Sequence, residues 1–173
     1  QEEGMQAISI HGRTRSQGYR GLANWEVIDA CARHVSVPVI GNGDIHTGAD
    51  VKNRRENTAV SGLMIGRAAM QNPWVFREAK HYLATGQQPQ PVPIPERWEM
   101  IVRHCRMALG SDRYGNERQT IMAMRSRLMT YCKGFPGAKP LRQRLCTVSS
   151  LMEVEDLAAD YLSEHGEESE LAL

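Results

Sequence analysis

Val37-Pro38-Val39-Ile40-Gly41-Asn42-Gly43-Asp44 is the stretch that decides how this chain is read. A short β-branched apolar run stops abruptly in Gly-Asn-Gly-Asp, where the glycines free the backbone and polar side chains crowd together. The same design recurs on either side, as Ile8-Ser9-Ile10-His11-Gly12-Arg13-Thr14 and as Leu63-Met64-Ile65-Gly66-Arg67-Ala68. The runs are spaced by about 30 and then about 23 residues, which is one strand plus one helix each time. Successive strand–helix units build a parallel sheet. In a (β/α)8 barrel the chemistry sits at the C-terminal strand ends, and the last two strands commonly make a phosphate site. Glycines let backbone N–H groups approach an anion, and Arg67 can add the matching charge.

The chain has 173 residues and a formal charge of +1. A complete (β/α)8 barrel needs about 250 residues, so the expectation is the C-terminal part of a longer protein. The sequence opens on Gln1-Glu2-Glu3-Gly4 without an initiator Met, and strand-like sequence follows at once. No apolar run approaches the roughly 20 residues of a membrane span, and no basic-plus-apolar signal pattern stands at the N-terminus. Cys31, Cys105, Cys132 and Cys146 are far apart and form no CxxC pair. They read as reduced, buried thiols of a cytoplasmic protein, with neither disulfide nor metal framework.

Helix signals fill the intervals. Asn24 can cap a helix whose inner face is Trp25, Ile28, Ala32 and Val35. Thr47 can cap a short, unusually polar helix through Asp50–Arg55. Asn72-Pro73-Trp74 reads as an N-cap with Pro at the first helical position, for a helix running to Leu83 and closed by Gly86. Gln87 to Pro95 carries four prolines and reads as extended linker. Beyond it the period is helical. Trp98, Ile101, Cys105 and Ala108 share one face, and Ile121, Met124, Leu128 and Tyr131 another. Gly134-Phe135-Pro136-Gly137 interrupts. A short helix over Leu141, Leu145 and Val148 follows, then a capping box of Ser150 and Glu153 before the stripe Leu151, Val154, Ala158, Tyr161. The three tryptophans read as core. The fold class is thus α/β plus all-α: a barrel part at 1–86, a linker at 87–96, and a small helical bundle at 97–173 with an acidic, frayed tail after Gly166.

Charge is uneven along the helical part. From Arg118 to Cys146 there are seven basic residues and no Asp or Glu. Such a face beside a Gly/Pro turn suits a phosphate backbone. The competing reading is a solvated helix face whose arginines meet the acidic last helix. Few aromatics stand there, so contact would be to phosphate and ribose, which positions an RNA without reading its bases.

Taken in order, His11-Gly12-Arg13-Thr14, Gly18-Tyr19-Arg20-Gly21, Val39–Ile45, Gly62–Ala69, Asn72–Phe76 and Met124–Gly137 resemble the flavin-dependent tRNA-dihydrouridine synthases over almost the whole chain. The resemblance implies an FMN-binding barrel followed by a helical tRNA-binding domain. It implies reduction of a tRNA uridine's C5–C6 bond, with NADPH as electron donor. It places Asn42, Gly43 and Asp44 on FMN from the seventh strand, Gly66 and Arg67 on it from the eighth, and His11 near its ring or ribityl chain. Tyr19 and Arg20 would face the target base. The basic residues carried over to tRNA are Arg125, Arg127, Lys133, Lys139 and Arg142. The family's proton-donating cysteine and active-site lysine belong to the first half of the barrel, so no catalytic residue and no metal ligand is assigned in this chain. Arg13 is read as structural, pairing with a barrel carboxylate. The full-length protein is expected to be a monomer, and the isolated chain to be poorly stable and without reductase activity. Two other readings stay open: another FMN-dependent barrel oxidoreductase acting on a small pyrimidine, and an inactive RNA-binding fragment.

Overall fold

A computed structural model describes residues 4–111, 113 and 115–165, so the tail after Gly166 lies outside the described residues. The chain divides into two units, residues 1–90 and 91–173.

The first unit is a parallel sheet in the order β1-β2-β3, made of β1 (Ile8–His11), β2 (Val39–Asn42) and β3 (Gly62–Met64). Ile8 pairs with Val39 and His11 with Asn42; Ile40 pairs with Gly62 and Asn42 with Met64. His11, Asn42 and Met64 are therefore level, at the same end of three adjacent strands. Two helices make the crossovers, α1 (Trp25–His34) and α2 (Gly48–Asn57). Asn24 caps α1 by accepting from Val27 N. Thr47 and Asp50 form a reciprocal capping box on α2, which stabilises a helix that buries only Gly48 and Val51. The core gathers Ala23, Trp25, Ile28, Ile45, Val51 and Ala79. Gly41 is required there, because a Cβ on it would lie 2.7 Å from the Trp25 ring.

Two elements depart from expectation after β3. A short helix, α3 (Arg67–Gln71), follows immediately, so Arg67 opens a helix rather than ending a strand. The next helix, α4, spans Val75–Thr85, two residues later than Asn72-Pro73 signals. The reason is local: the Asn72 side chain accepts from Trp74 N and donates to the Glu78 carboxylate, tying a turn ahead of the helix. Gly86 closes α4 at φ 74°, as its position predicts.

The second unit contains α5 (Ile94–Leu109), α6 (Glu117–Tyr131), α7 (Ala138–Leu145) and α8 (Leu151–His165). α5 begins inside the stretch read as linker. Pro95 sits in its first turn, where no N–H is needed. The predicted faces meet in one core around Trp98, Ile101, Met124, Leu128, Leu145 and Val154. The Ser150–Glu153 box is only half made. The Ser150 hydroxyl takes Glu153 N, but the Glu153 carboxylate reaches back to Ser149 N. Cys105 and Cys132 are buried as expected, whereas Cys146 is exposed at the end of α7. Among the described residues no helix is long and apolar enough to cross a membrane, and no three His, Cys, Asp or Glu side chains group to hold a metal.

Candidate functional site

At the C-terminal end of the sheet a cavity of about 330 Å³ is lined by His11, Tyr19, Asn42, Gly43, Asp44, Gly66 and Arg67, with Ile45, His46, Met64, Ala68 and Met70 completing its wall. Its size falls in the range of small-molecule sites. Parallel pairing puts the three strand ends there together, although their residues are 20 to 30 positions apart.

Asn42 ties the three strands. Its Nδ2 donates to the Met64 carbonyl at 2.6 Å, and its Oδ1 lies 2.6 Å from His11 Nδ1. A backbone carbonyl only accepts, so the carboxamide has one orientation: Nδ2 toward β3, Oδ1 toward His11. His11 Nδ1 must then carry the hydrogen. In the neutral ring Nε2 is left as an acceptor.

Asp44 organises the opposite side, at a left-handed φ of 52°. Its carboxylate accepts from Arg13 Nη2 at 2.8 and 2.9 Å and from Ala23 N at 2.7 Å, and Arg67 Nη2 lies 3.6 Å away. Burial pushes the carboxyl up, but the Ala23 N–H, the Arg13 hydrogen bond and charge, and the Arg67 charge together hold it below the usual carboxylate value. Arg13 also donates to the Gly21 carbonyl at 2.7 Å. Its side chain is only 4% exposed, and its Nε and Nη1 have no partner among the described residues. The barrel carboxylate anticipated for Arg13 is thus Asp44 itself.

Arg67 is the exposed cation of the cavity. Its side chain is 47% exposed, and its guanidinium lies 4.5 Å over the Tyr19 ring. Beside it, a Cβ on Gly66 would meet only Asn42 Nδ2, at 3.9 Å, so the backbone is open to a close approach. Arg20, expected beside Tyr19, does not line the cavity. His46, Met64 and Met70 do, and sequence reading missed them. His46 sits two residues past Asp44 and was within reach of that reasoning, whereas Met64 and Met70 carried no signal of a site.

The five basic residues expected to hold RNA all belong to the second unit, and their roles differ. Arg125 donates to the carbonyls of Val148 and Thr147 at 2.8 and 2.9 Å, closing the end of α7. Arg127 is half-buried near His104, whose Nδ1 lies 2.9 Å from the Tyr131 hydroxyl. Burial, then the Arg127 charge, pushes the His104 imidazole below its ordinary value. Lys133, Lys139 and Arg142 are exposed. The acidic last helix does meet one arginine of the basic stretch: Arg144 pairs with Asp160 at 2.6 Å.

Comparison with known proteins gives the same frame. The family model described as dihydrouridine synthase (Dus) matches residues 1–165. The tRNA-dihydrouridine synthase B of Pseudomonas aeruginosa is 39% identical over 142 residues, covering 82% of this chain and 42% of that protein. A probable tRNA-dihydrouridine synthase 1 of Synechocystis sp. is 34% identical over 163 residues, covering 94% and 45%. A probable tRNA-dihydrouridine synthase of Rickettsia conorii is 32% identical over 161 residues, covering 93% and 48%. The chain spans somewhat less than half the length of these relatives. With the match extending through both units, the chain belongs to the dihydrouridine synthase family.

Proposed function

We propose that this chain carries the phosphate-binding end of an FMN site in a tRNA-dihydrouridine synthase, together with a helical tRNA-binding domain. The supporting observation is the half-exposed Arg67 guanidinium beside the open backbone of Gly66, at the mouth of a cavity that Asn42 holds together from three strands. The residues present fit the cofactor. Arg67 and the backbone around Gly66 would hold its phosphate, while Gly43 lets the strand end pack against Ala23, which a Cβ there would meet at 2.4 Å. Asn42 and the acceptor Nε2 of His11 would meet the polar edge of the ribityl chain or ring. Asp44, already engaged by Arg13, fixes Arg67 rather than facing the phosphate. When bound, reduced FMN supplies a hydride, which NADPH replenishes. This chain's contribution is to bind and orient. Tyr19 shields one side of Arg67 and faces the base, while Arg127, Lys133, Lys139 and Arg142 take the tRNA backbone.

The test uses the full-length protein. It should carry a flavin absorbance spectrum, and Arg67→Ala should weaken FMN binding by about tenfold or more, as expected for losing a charge-assisted contact. A protein that takes up no FMN, or an Arg67→Ala variant that holds it equally well, would overturn the assignment. Binding of tRNA that falls steeply with salt separates this reading from that of a small-pyrimidine oxidoreductase, which would show none.

A further inference from the structure

The turn between α6 and α7 is held by side chains from both other helices of its unit. Phe135, at its centre, is 4% exposed. Its ring lies 6.0 Å from Trp98 and 5.3 Å from Tyr161. The Arg97 guanidinium covers that ring at 4.4 Å. Arg97 Nη2 donates to the Tyr131 carbonyl and, at 2.8 Å, to that of Lys133. The Tyr161 hydroxyl donates to the Pro136 carbonyl at 2.8 Å. Gly134 and Gly137 take left-handed φ values of 85° and 58°, and Pro136 removes a further backbone freedom. The backbone from the end of α6 through the turn is thus pinned at three carbonyls and one ring, with Lys133 in the turn and Lys139 at the start of α7 both exposed.

The chemistry of the pins matters as much as their number. A buried arginine is commonly satisfied by a carboxylate, which cancels its charge. Arg97 instead uses two carbonyls and a π face, and Arg125 nearby in sequence uses two carbonyls. Neither of these contacts brings an acid into the segment, so the turn is held without an ion pair at either arginine. Elsewhere in the unit arginines are neutralised, as in Arg106–Glu155 and Arg144–Asp160, each at 2.6 Å.

We propose that Arg97 and Tyr161 are positioning residues that preform the turn between α6 and α7 as a rigid cationic element, which sets the spacing of Lys133, in the turn, and Lys139, in the first turn of α7, for adjacent phosphates of a folded RNA. This rests on the tRNA reading above. A fixed backbone removes much of the ordering cost of binding, which leaves the lysine stems as the main remaining freedom. The partner is RNA because two exposed cations at a set spacing, the turn's aromatic ring Phe135 being buried, recognise a backbone rather than bases.

The experiment measures binding of full-length protein to bulk tRNA by fluorescence anisotropy across a salt series. Lys133→Ala and Lys139→Ala should each weaken binding and lower the salt slope by about one. Tyr161→Phe keeps the ring and removes the hydroxyl that donates to the Pro136 carbonyl. Together with Arg97→Lys, it should weaken binding about threefold to tenfold with the slope unchanged, because the same phosphates are contacted by a looser turn. Faster amide exchange confined to residues 133–138 should accompany it. Val154→Ala, matched for thermal destabilisation but remote from the turn's hydrogen bonds, should bind normally. If Tyr161→Phe and Arg97→Lys bind like wild type while the lysine variants weaken, the positioning role is wrong and the RNA reading stands. If the lysine variants also bind unchanged, or if the wild type does not bind tRNA, the RNA reading itself fails.

Discussion

The Arg13–Asp44 pair gives the sharpest prediction for the architecture of the cavity. Asp44→Asn leaves the Arg13 guanidinium, 4% exposed, without a counter-charge. Breaking a buried pair from one side costs about 3–5 kcal/mol. Asp44 is 17% exposed, and asparagine keeps an oxygen that can accept from Ala23 N, so a value near the low end, about 3 kcal/mol, is expected. Arg13→Met should cost less. It removes the charge, but it also removes two nitrogens, Nε and Nη1, that have no partner among the described residues, and each such orphan carries a penalty of about 1–3 kcal/mol. A net loss of about 1–2 kcal/mol follows. The double variant should lose clearly less than the sum, since each change removes the other's cause. The pH dependence has a definite sign. The folded-state carboxyl of Asp44 lies below its ordinary 3.8. Its contribution is therefore fully present above that value and is lost as pH falls through the lowered one. Urea unfolding at pH 7 and pH 3 is the assay. The gap between wild type and Asp44→Asn should shrink at pH 3. Equal costs for the two single variants, additivity in the double, or a gap independent of pH would refute the reasoning.

Two further outcomes test other parts of the fold. Gly41→Ala places a Cβ 2.7 Å from the ring of Trp25, a rigid neighbour buried at the start of α1. It should cost about 1–3 kcal/mol by overpacking, read as a lowered melting temperature, and an unchanged melt would show that the ring can move aside. Among the thiols, burial pushes Cys105 up to about 11 and Cys132 up to about 12, while Cys146 is exposed. A thiol reagent at pH 8 should label Cys146 quickly and reach Cys105 and Cys132 only on unfolding; rapid native labelling of either buried thiol would contradict the packing around Trp98 and Leu128.

Sequence alone determined the elements whose signals are local. Strand runs ended in glycine and polar residues, Asn24, Thr47 and Gly86 marked helix ends, and the apolar stripes of α5, α6 and α8 named their buried faces, because caps and periodicity act within a turn or two of the chain. From the spacing of the strand endings it also followed that His11, Asn42 and Arg67 would stand near one another. What only the tertiary structure decided is which polar groups face which. Asn42 bridging β1 and β3, Asp44 spending its carboxylate on Arg13, and Arg97 with Tyr161 pinning the turn after α6 are all contacts between residues more than 20 positions apart. The short helix at Arg67, which has no side-chain cap, and the late start of α4, delayed by the Asn72 side chain's bonds to Trp74 and Glu78, are local features that the cap and periodicity signals did not announce. A side chain's partner in the long-range contacts is chosen by the geometry of strands and helices brought together, and a linear sequence carries the residue types without carrying that choice.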